Sequence, residues 1–127
     1  MPRPSVLVVE DHAATREALV RMLQHEGFIA DGVATSMECL KIMDEGATFD
    51  LLIIDVVMPS SSGFLLGRMA RQRRPGQRLL YTSGYRDALS EDELESAGAP
   101  VLAKPMRMSE FIENVRRVLE TGSHLSR

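Results

Sequence analysis

The sequence predicts an α/β fold: a five-stranded parallel sheet covered by helices on both faces, as a three-layer sandwich. Two observations carry this expectation. Short β-branched or leucine-rich runs recur at regular intervals, at Val6–Val9, Phe28–Val33, Leu51–Ile54, Leu79–Thr82 and Val101–Ala103. Three of these runs are continuously apolar rather than alternating, which suits strands buried on both faces. The segments between them have helical period, so strand and helix alternate five times, the pattern of right-handed parallel crossovers. No internal repeat, linker or low-complexity stretch interrupts the alternation. The 127 residues are expected to form one domain, 1–127, with its core at about 5–119 and a flexible polar tail at 122–127.

Each helix has its own signals. Ala14, Ala18, Leu19, Met22 and Leu23 fall at spacings of three and four, marking a first helix at 13–26 with Gly27 as its stop. Thr35 and Glu38 have the spacing of a capping box ahead of a second helix, 36–45, which Gly46 ends. A third helix, 63–73, stops before Pro75-Gly76. The fourth is short, 91–97, between a second capping box at Ser90 and Glu93 and a stop at Gly98. The fifth, 109–121, carries Phe111, Ile112, Val115, Val118 and Leu119 on one stripe.

Composition narrows the function classes. Fifteen Lys and Arg against 18 Asp and Glu leave a net charge of -3, which gives no bulk drive toward nucleic acid or anionic membrane. The Arg68, Arg71, Arg73, Arg74 and Arg78 cluster lacks the interleaved aromatics of a single-strand binder. It reads as a solvated basic end of the third helix, favoured by the helix dipole. Asp87, Glu91, Asp92, Glu93 and Glu95 are its acidic counterpart at the start of the fourth. A single cysteine, Cys39, forms no internal disulfide and fits a core stripe, as do Met22, Met43 and Met69. No run approaches the roughly 18 apolar residues of a membrane span, and the N-terminus lacks a signal peptide's apolar stretch. The expected location is cytoplasmic, with neither nucleic acid nor membrane as a direct partner.

In open parallel sheets, ligands bind outside the carboxyl ends of the strands. Glu10 and Asp11 follow the first run, Asp55 the third, Thr82, Ser83 and Gly84 the fourth, and Lys104-Pro105 the fifth. Three carboxylates, a hydroxyl pair and an ammonium therefore reach one edge. Crowded carboxylates repel one another and require a divalent cation. All-oxygen ligation with few protein ligands suits Mg²⁺. Asp55 can then act as a nucleophile that forms an aspartyl-phosphate, with Mg²⁺, a hydroxyl and Lys104 sharing the transferring oxygens.

Simpler roles compete. Asp11 can cap the first helix, and His12 reads as exposed at that helix start. Asp55 has no helix to cap. Lys104 is one of two lysines, with Lys41, in a chain that otherwise uses arginine, which points to a need for a compact ammonium.

These residues carry a resemblance. Val6-Leu7-Val8-Val9-Glu10-Asp11, Asp55-Val56-Val57-Met58-Pro59 with Gly63, Thr82-Ser83-Gly84-Tyr85 and Lys104-Pro105 stand in order at strand ends. Together they resemble the signature of the receiver domain of two-component response regulators, over about Ser5 to Leu119. The resemblance implies the flavodoxin-like strand order 2-1-3-4-5, with five helices. It implies Asp55 as phosphoacceptor, and Glu10, Asp11, Asp55 and the backbone carbonyl of Val57 as Mg²⁺ ligands. Ser83 matches the switch hydroxyl, with Thr82 as the alternative one residue away. Lys104 matches the lysine that pairs with the phosphoryl group, and its bond to Pro105 is usually cis in the family. One position departs from the pattern. Three residues before the lysine the family often has Tyr or Phe, whose rotamer couples phosphorylation to the output face. Val101 stands there, and Tyr85 is the candidate substitute.

The implied function is a phosphoryl-accepting signalling switch, not an enzyme beyond its own phosphorylation and dephosphorylation. A histidine kinase or histidine phosphotransfer protein gives its phosphoryl group to Asp55, and the modified domain alters its protein–protein contacts with a downstream protein. A stand-alone protein and the receiver of a hybrid kinase both fit. The family's usual dimer face, helix four, strand five and helix five, leaves a homodimer open. The alternatives are a degenerate receiver acting as a constitutive interaction module and a Mg²⁺-dependent phosphatase. The complete acidic set speaks against the first. The second requires an acidic residue two positions after the nucleophile, where Val57 stands. A nucleotide or flavin binder is disfavoured because no glycine-rich phosphate loop occurs. With only apolar Val57 there to orient water, the phosphorylated form is expected to hydrolyse slowly.

Overall fold

All five apolar runs are strands, and all pair in parallel. The structure, a computed structural model, describes residues 3–59 and 62–125. In chain order the elements are β1 (Ser5–Val9), α1 (Ala13–His25), β2 (Ile29–Val33), α2 (Ser36–Asp44), β3 (Leu51–Asp55), α3 (Gly63–Arg73), β4 (Leu79–Ser83), α4 (Glu91–Ser96), β5 (Val101–Ala103) and α5 (Met108–Leu125). A 3-10 turn, Arg86–Ala88, precedes α4. The sheet order is β2-β1-β3-β4-β5, the order implied by the resemblance. Pairing of Val9 with Val33 and Ile54, Asp55 with Thr82, and Ser83 with Ala103 brings the carboxyl ends level.

The continuous apolar runs follow from a core on each side of the sheet. Val6, Val8, Leu51, Ile53 and Leu80 pack with Leu19 and Leu23 of α1 and with Phe111, Ile112, Val115 and Val118 of α5. The alternate residues Leu7, Val9, Leu52, Ile54, Leu79, Tyr81 and Val101 pack with Cys39, Leu66 and Ala70 on the other side. Each fully buried large side chain is worth about 1.5–3 kcal/mol. Tyr81 is the largest of them, and its ring meets that of Phe64 edge-on at 4.8 Å. Cys39 is fully buried, as expected. No helix among the described residues is long and apolar enough to cross a membrane.

The boundaries differ from the sequence reading in physically informative ways. Phe28 lies in the turn between α1 and β2 rather than in β2. Its N–H bonds the Leu23 carbonyl at 3.0 Å, and its buried ring lies under the Arg116 guanidinium. The expected stops Gly27, Gly46 and Gly98 all have positive φ. His12, not Asp11, caps α1, its ring nitrogen accepting the Thr15 N–H at 3.3 Å. At α2 the Thr35 hydroxyl accepts from the Glu38 N–H and donates to the Glu38 carboxylate. At α4 the reciprocal capping box of Ser90 and Glu93 is present. The helix α5 carries Gly122 inside it and continues to Leu125. The end of the expected tail, Ser126 and Arg127, lies outside the described residues.

The arginine cluster is not simply solvated. Arg73 grips Asp44 of α2 with two bonds, at 2.6 and 3.2 Å. Arg74 donates to the Phe49 carbonyl, and Arg71 to the carbonyls of Gln77 and Gly98. These guanidinium groups tie the end of α3 to the Asp44 carboxylate of α2 and to carbonyls in the loops before β3, β4 and β5.

Candidate functional site

The sheet order makes β1 and β3 neighbours, so Glu10 and Asp55 leave adjacent strands at the same level. Carboxylate oxygens of Glu10, Asp11 and Asp55 lie within 4.8 Å of one another. Glu10 and Asp55 are buried, while Asp11 is exposed. Lys104, delivered by β5, donates to Glu10 Oε1 at 2.5 Å and to Asp55 Oδ2 at 3.3 Å. The second oxygens are also engaged. The His12 N–H reaches Glu10 Oε2 at 3.1 Å, and the Val57 N–H reaches Asp55 Oδ1 at 3.2 Å. The peptide bond between Lys104 and Pro105 is cis.

The charges compete for one ammonium. Burial pushes the Asp55 carboxyl up to about 6; Lys104 pulls it down, and neighbouring Glu10 adds to the rise. Glu10 is driven upward by burial too, but its bonds to Lys104 and the His12 N–H outweigh that, and it lies below the usual range. Burial disfavours the Lys104 cation, yet the two carboxylates hold its pKa above the ordinary value. Three carboxylates around one ammonium leave two negative charges in excess. An all-oxygen set carrying that excess fits a small, hard divalent cation.

The backbone beneath Asp55 is tightly packed. The Val56 N–H takes the Thr82 carbonyl at 2.9 Å, and the Gly63 N–H takes the Val56 carbonyl at 2.8 Å. A Cβ at Gly63 would collide with the Asp55 carbonyl, so the start of α3 can sit on the acidic loop only as glycine.

Thr82 and Ser83 are both buried at the end of β4. Strand alternation turns Thr82 to the α1 and α5 side with Leu80, and Ser83 to the side of Tyr81 and Val101. The Ser83 hydroxyl accepts the Tyr85 N–H at 3.0 Å. Tyr85 and Val57 are exposed, at 67% and 51%. Val101 is buried, and its partner across the β4–β5 pair is Tyr81. The structure therefore brings Glu10, Asp11 and Asp55 together and sets Lys104 on Glu10 and Asp55. It places Tyr85 outside both cores.

Sequence reasoning missed Arg16. Its Nη1 donates to the Glu10 carbonyl at 2.9 Å, bracing the turn that carries Glu10 and Asp11. The Arg16 stem crosses β2 where a Cβ on Gly32 would stand. A glycine inside a strand run is a signal of close approach, and Gly32 in the second run gave it.

Comparisons with known proteins agree with this geometry. The family model of the response regulator receiver domain matches residues 6–116. The sensor kinase CckA of Brucella abortus is 36% identical over 118 residues, covering 91% of this chain, which spans only 12% of that protein. The response regulator receiver protein CpdR of the same organism is 29% identical over 90% of this chain and 95% of its own length. The response regulator protein TrrA of Thermotoga maritima, solved in complex with Mg²⁺-BeF, matches with a TM-score of 0.80 and 28% identity. That match covers 91% of this chain and 98% of the other.

Proposed function

The chain belongs to the response regulator receiver family, and on that premise we propose that Asp55 is the phosphoryl acceptor of a signalling switch. The observation that carries the reading is the set of three carboxylates within 4.8 Å, with Lys104 shared between Glu10 and Asp55. The donor is a histidine kinase or histidine phosphotransfer protein. An ionised Asp55 oxygen attacks phosphorus, a P–O bond forms, and the bond to the donor imidazole breaks with its electron pair returning to nitrogen. Glu10, Asp11, Asp55 and the Val57 carbonyl would hold Mg²⁺, which neutralises charge on the transferring oxygens when bound.

The protein's own groups supply the rest. Lys104 donates to one phosphoryl oxygen from its place beside Asp55. The Ser83 hydroxyl, which accepts from the Tyr85 N–H in this structure, turns to donate its proton to another. Thr82, which pairs with Asp55 across β3 and β4, is the second reading of that hydroxyl. The phosphoryl group adds a charge of about -1.5 to -2, and the resulting shift alters contacts with a downstream protein, with the face of α4, β5 and α5 available to a homodimer. Apolar Val57 leaves water unoriented, so the adduct decays slowly.

Acetyl phosphate with Mg²⁺ tests this reading by intact mass. One added phosphoryl group is expected on the wild type, lasting well beyond seconds, and none on Asp55→Asn. No adduct on the wild type, or an unchanged one on the variant, overturns the acceptor.

A further inference from the structure

Between the Ser83 hydroxyl and the outer edge of the sheet runs a short chain of contacts that the acceptor reading does not use. In the β4–β5 pair the Tyr81 N–H takes the Pro100 carbonyl and the Lys104 N–H takes the Ser83 carbonyl, both at 2.9 Å. Residues 100, 102 and 104 therefore face β4, and Val101 points its carbonyl to the free edge. Arg86 meets that carbonyl, its Nε donating at 2.7 Å. Only Gly84 and Tyr85 separate Arg86 from Ser83, and the Tyr85 N–H is the donor to the Ser83 hydroxyl. Arg86 opens the 3-10 turn, and bonds from Ala88 to Tyr85 and from Leu89 to Arg86 close 85–89 into one unit. The next element, α4, has no buried residue.

We propose that Arg86 is a positioning residue that couples the Ser83 hydroxyl to the free edge of β5. When Ser83 turns to a phosphoryl oxygen it gives up the Tyr85 N–H. The unit 85–89 then shifts, and Arg86 leaves the Val101 carbonyl. Strand edge and α4 start are freed together. A guanidinium suits this role because its planar Nε–H is directional and its charge persists at every relevant pH. The inference rests on Ser83 acting as the phosphoryl-facing hydroxyl, so its test must separate the two.

Hydrogen exchange read by mass spectrometry, on the full chain with and without acetyl phosphate and Mg²⁺, does so for wild type, Arg86→Ala and Arg86→Lys. All three should gain the phosphoryl group on Asp55. In the wild type, phosphorylation should speed exchange over 84–103 by about fivefold, within the range of such coupling energies. Arg86→Ala should show that speed without phosphate and change little on modification, while Arg86→Lys should restore most of the response. A wild-type response in a phosphorylated Arg86→Ala overturns the coupling and leaves the acceptor standing. Faster exchange spread equally over β1 and α5 also overturns it, as a general loss of stability. No adduct on the wild type overturns both.

Discussion

Two helices flank the short strand β5, and they are held in opposite ways. The longer, α5, sends Phe111, Ile112, Val115 and Val118 into the core under β1, β3 and β4. The shorter, α4, buries nothing fully. Leu94 is half-buried, Ser90 and Glu93 close its amino end, and Arg71 reaches the Gly98 carbonyl beyond its carboxyl end. Apolar area is lost only by unpacking, whereas a few directional bonds can be exchanged for others at small net cost. The difference teaches where the domain can respond: on the side that hydrogen bonds hold.

The largest expected effect tests the packed side. Phe111→Ala should cost about 3–5 kcal/mol in urea unfolding, against about 1–2 kcal/mol for the half-buried Leu94→Ala. Equal losses would remove the contrast.

The acidic cluster joins the two sides through Lys104 and gives the second effect. With metal chelated, the folded Asp55 pKa of about 6 lies above the unfolded value of about 3.9. The native state then binds more protons between those values, so this group's contribution falls as pH rises through that window. Asp55→Asn should therefore gain up to about 3 kcal/mol over wild type on going from pH 4 to pH 8 in EDTA. Urea midpoints for both proteins across that range measure it, and a pH-independent difference would contradict the burial of this charge.

The smallest effect is local. Ser90→Ala removes the cap of α4 at a cost of about 1 kcal/mol. Exchange should quicken over 91–96 while α5 keeps its protection. Equal loosening of both helices would mean that α4 is not independently held.

Much of this was legible in the residues because burial on both faces writes itself as unbroken apolar runs, at Val6–Val9 and Leu51–Ile54 above all. The site was legible because its side chains sit at the ends of those runs. The same double burial hides the choice between Thr82 and Ser83. Where both faces are covered, polar–apolar alternation vanishes, and the run does not say which hydroxyl serves the site. Phe28 misled because an apolar residue closing a helix looks like the start of a strand. Arg86 left little trace, since its partner is a backbone carbonyl that every residue carries.

The chain has no tryptophan and two tyrosines. Tyr81 is sealed in the core against Phe64, while Tyr85 stands in solvent two residues past Ser83. Any ultraviolet emission from this protein therefore divides into a constant background and a single natural reporter, placed by the fold beside the segment whose movement matters most.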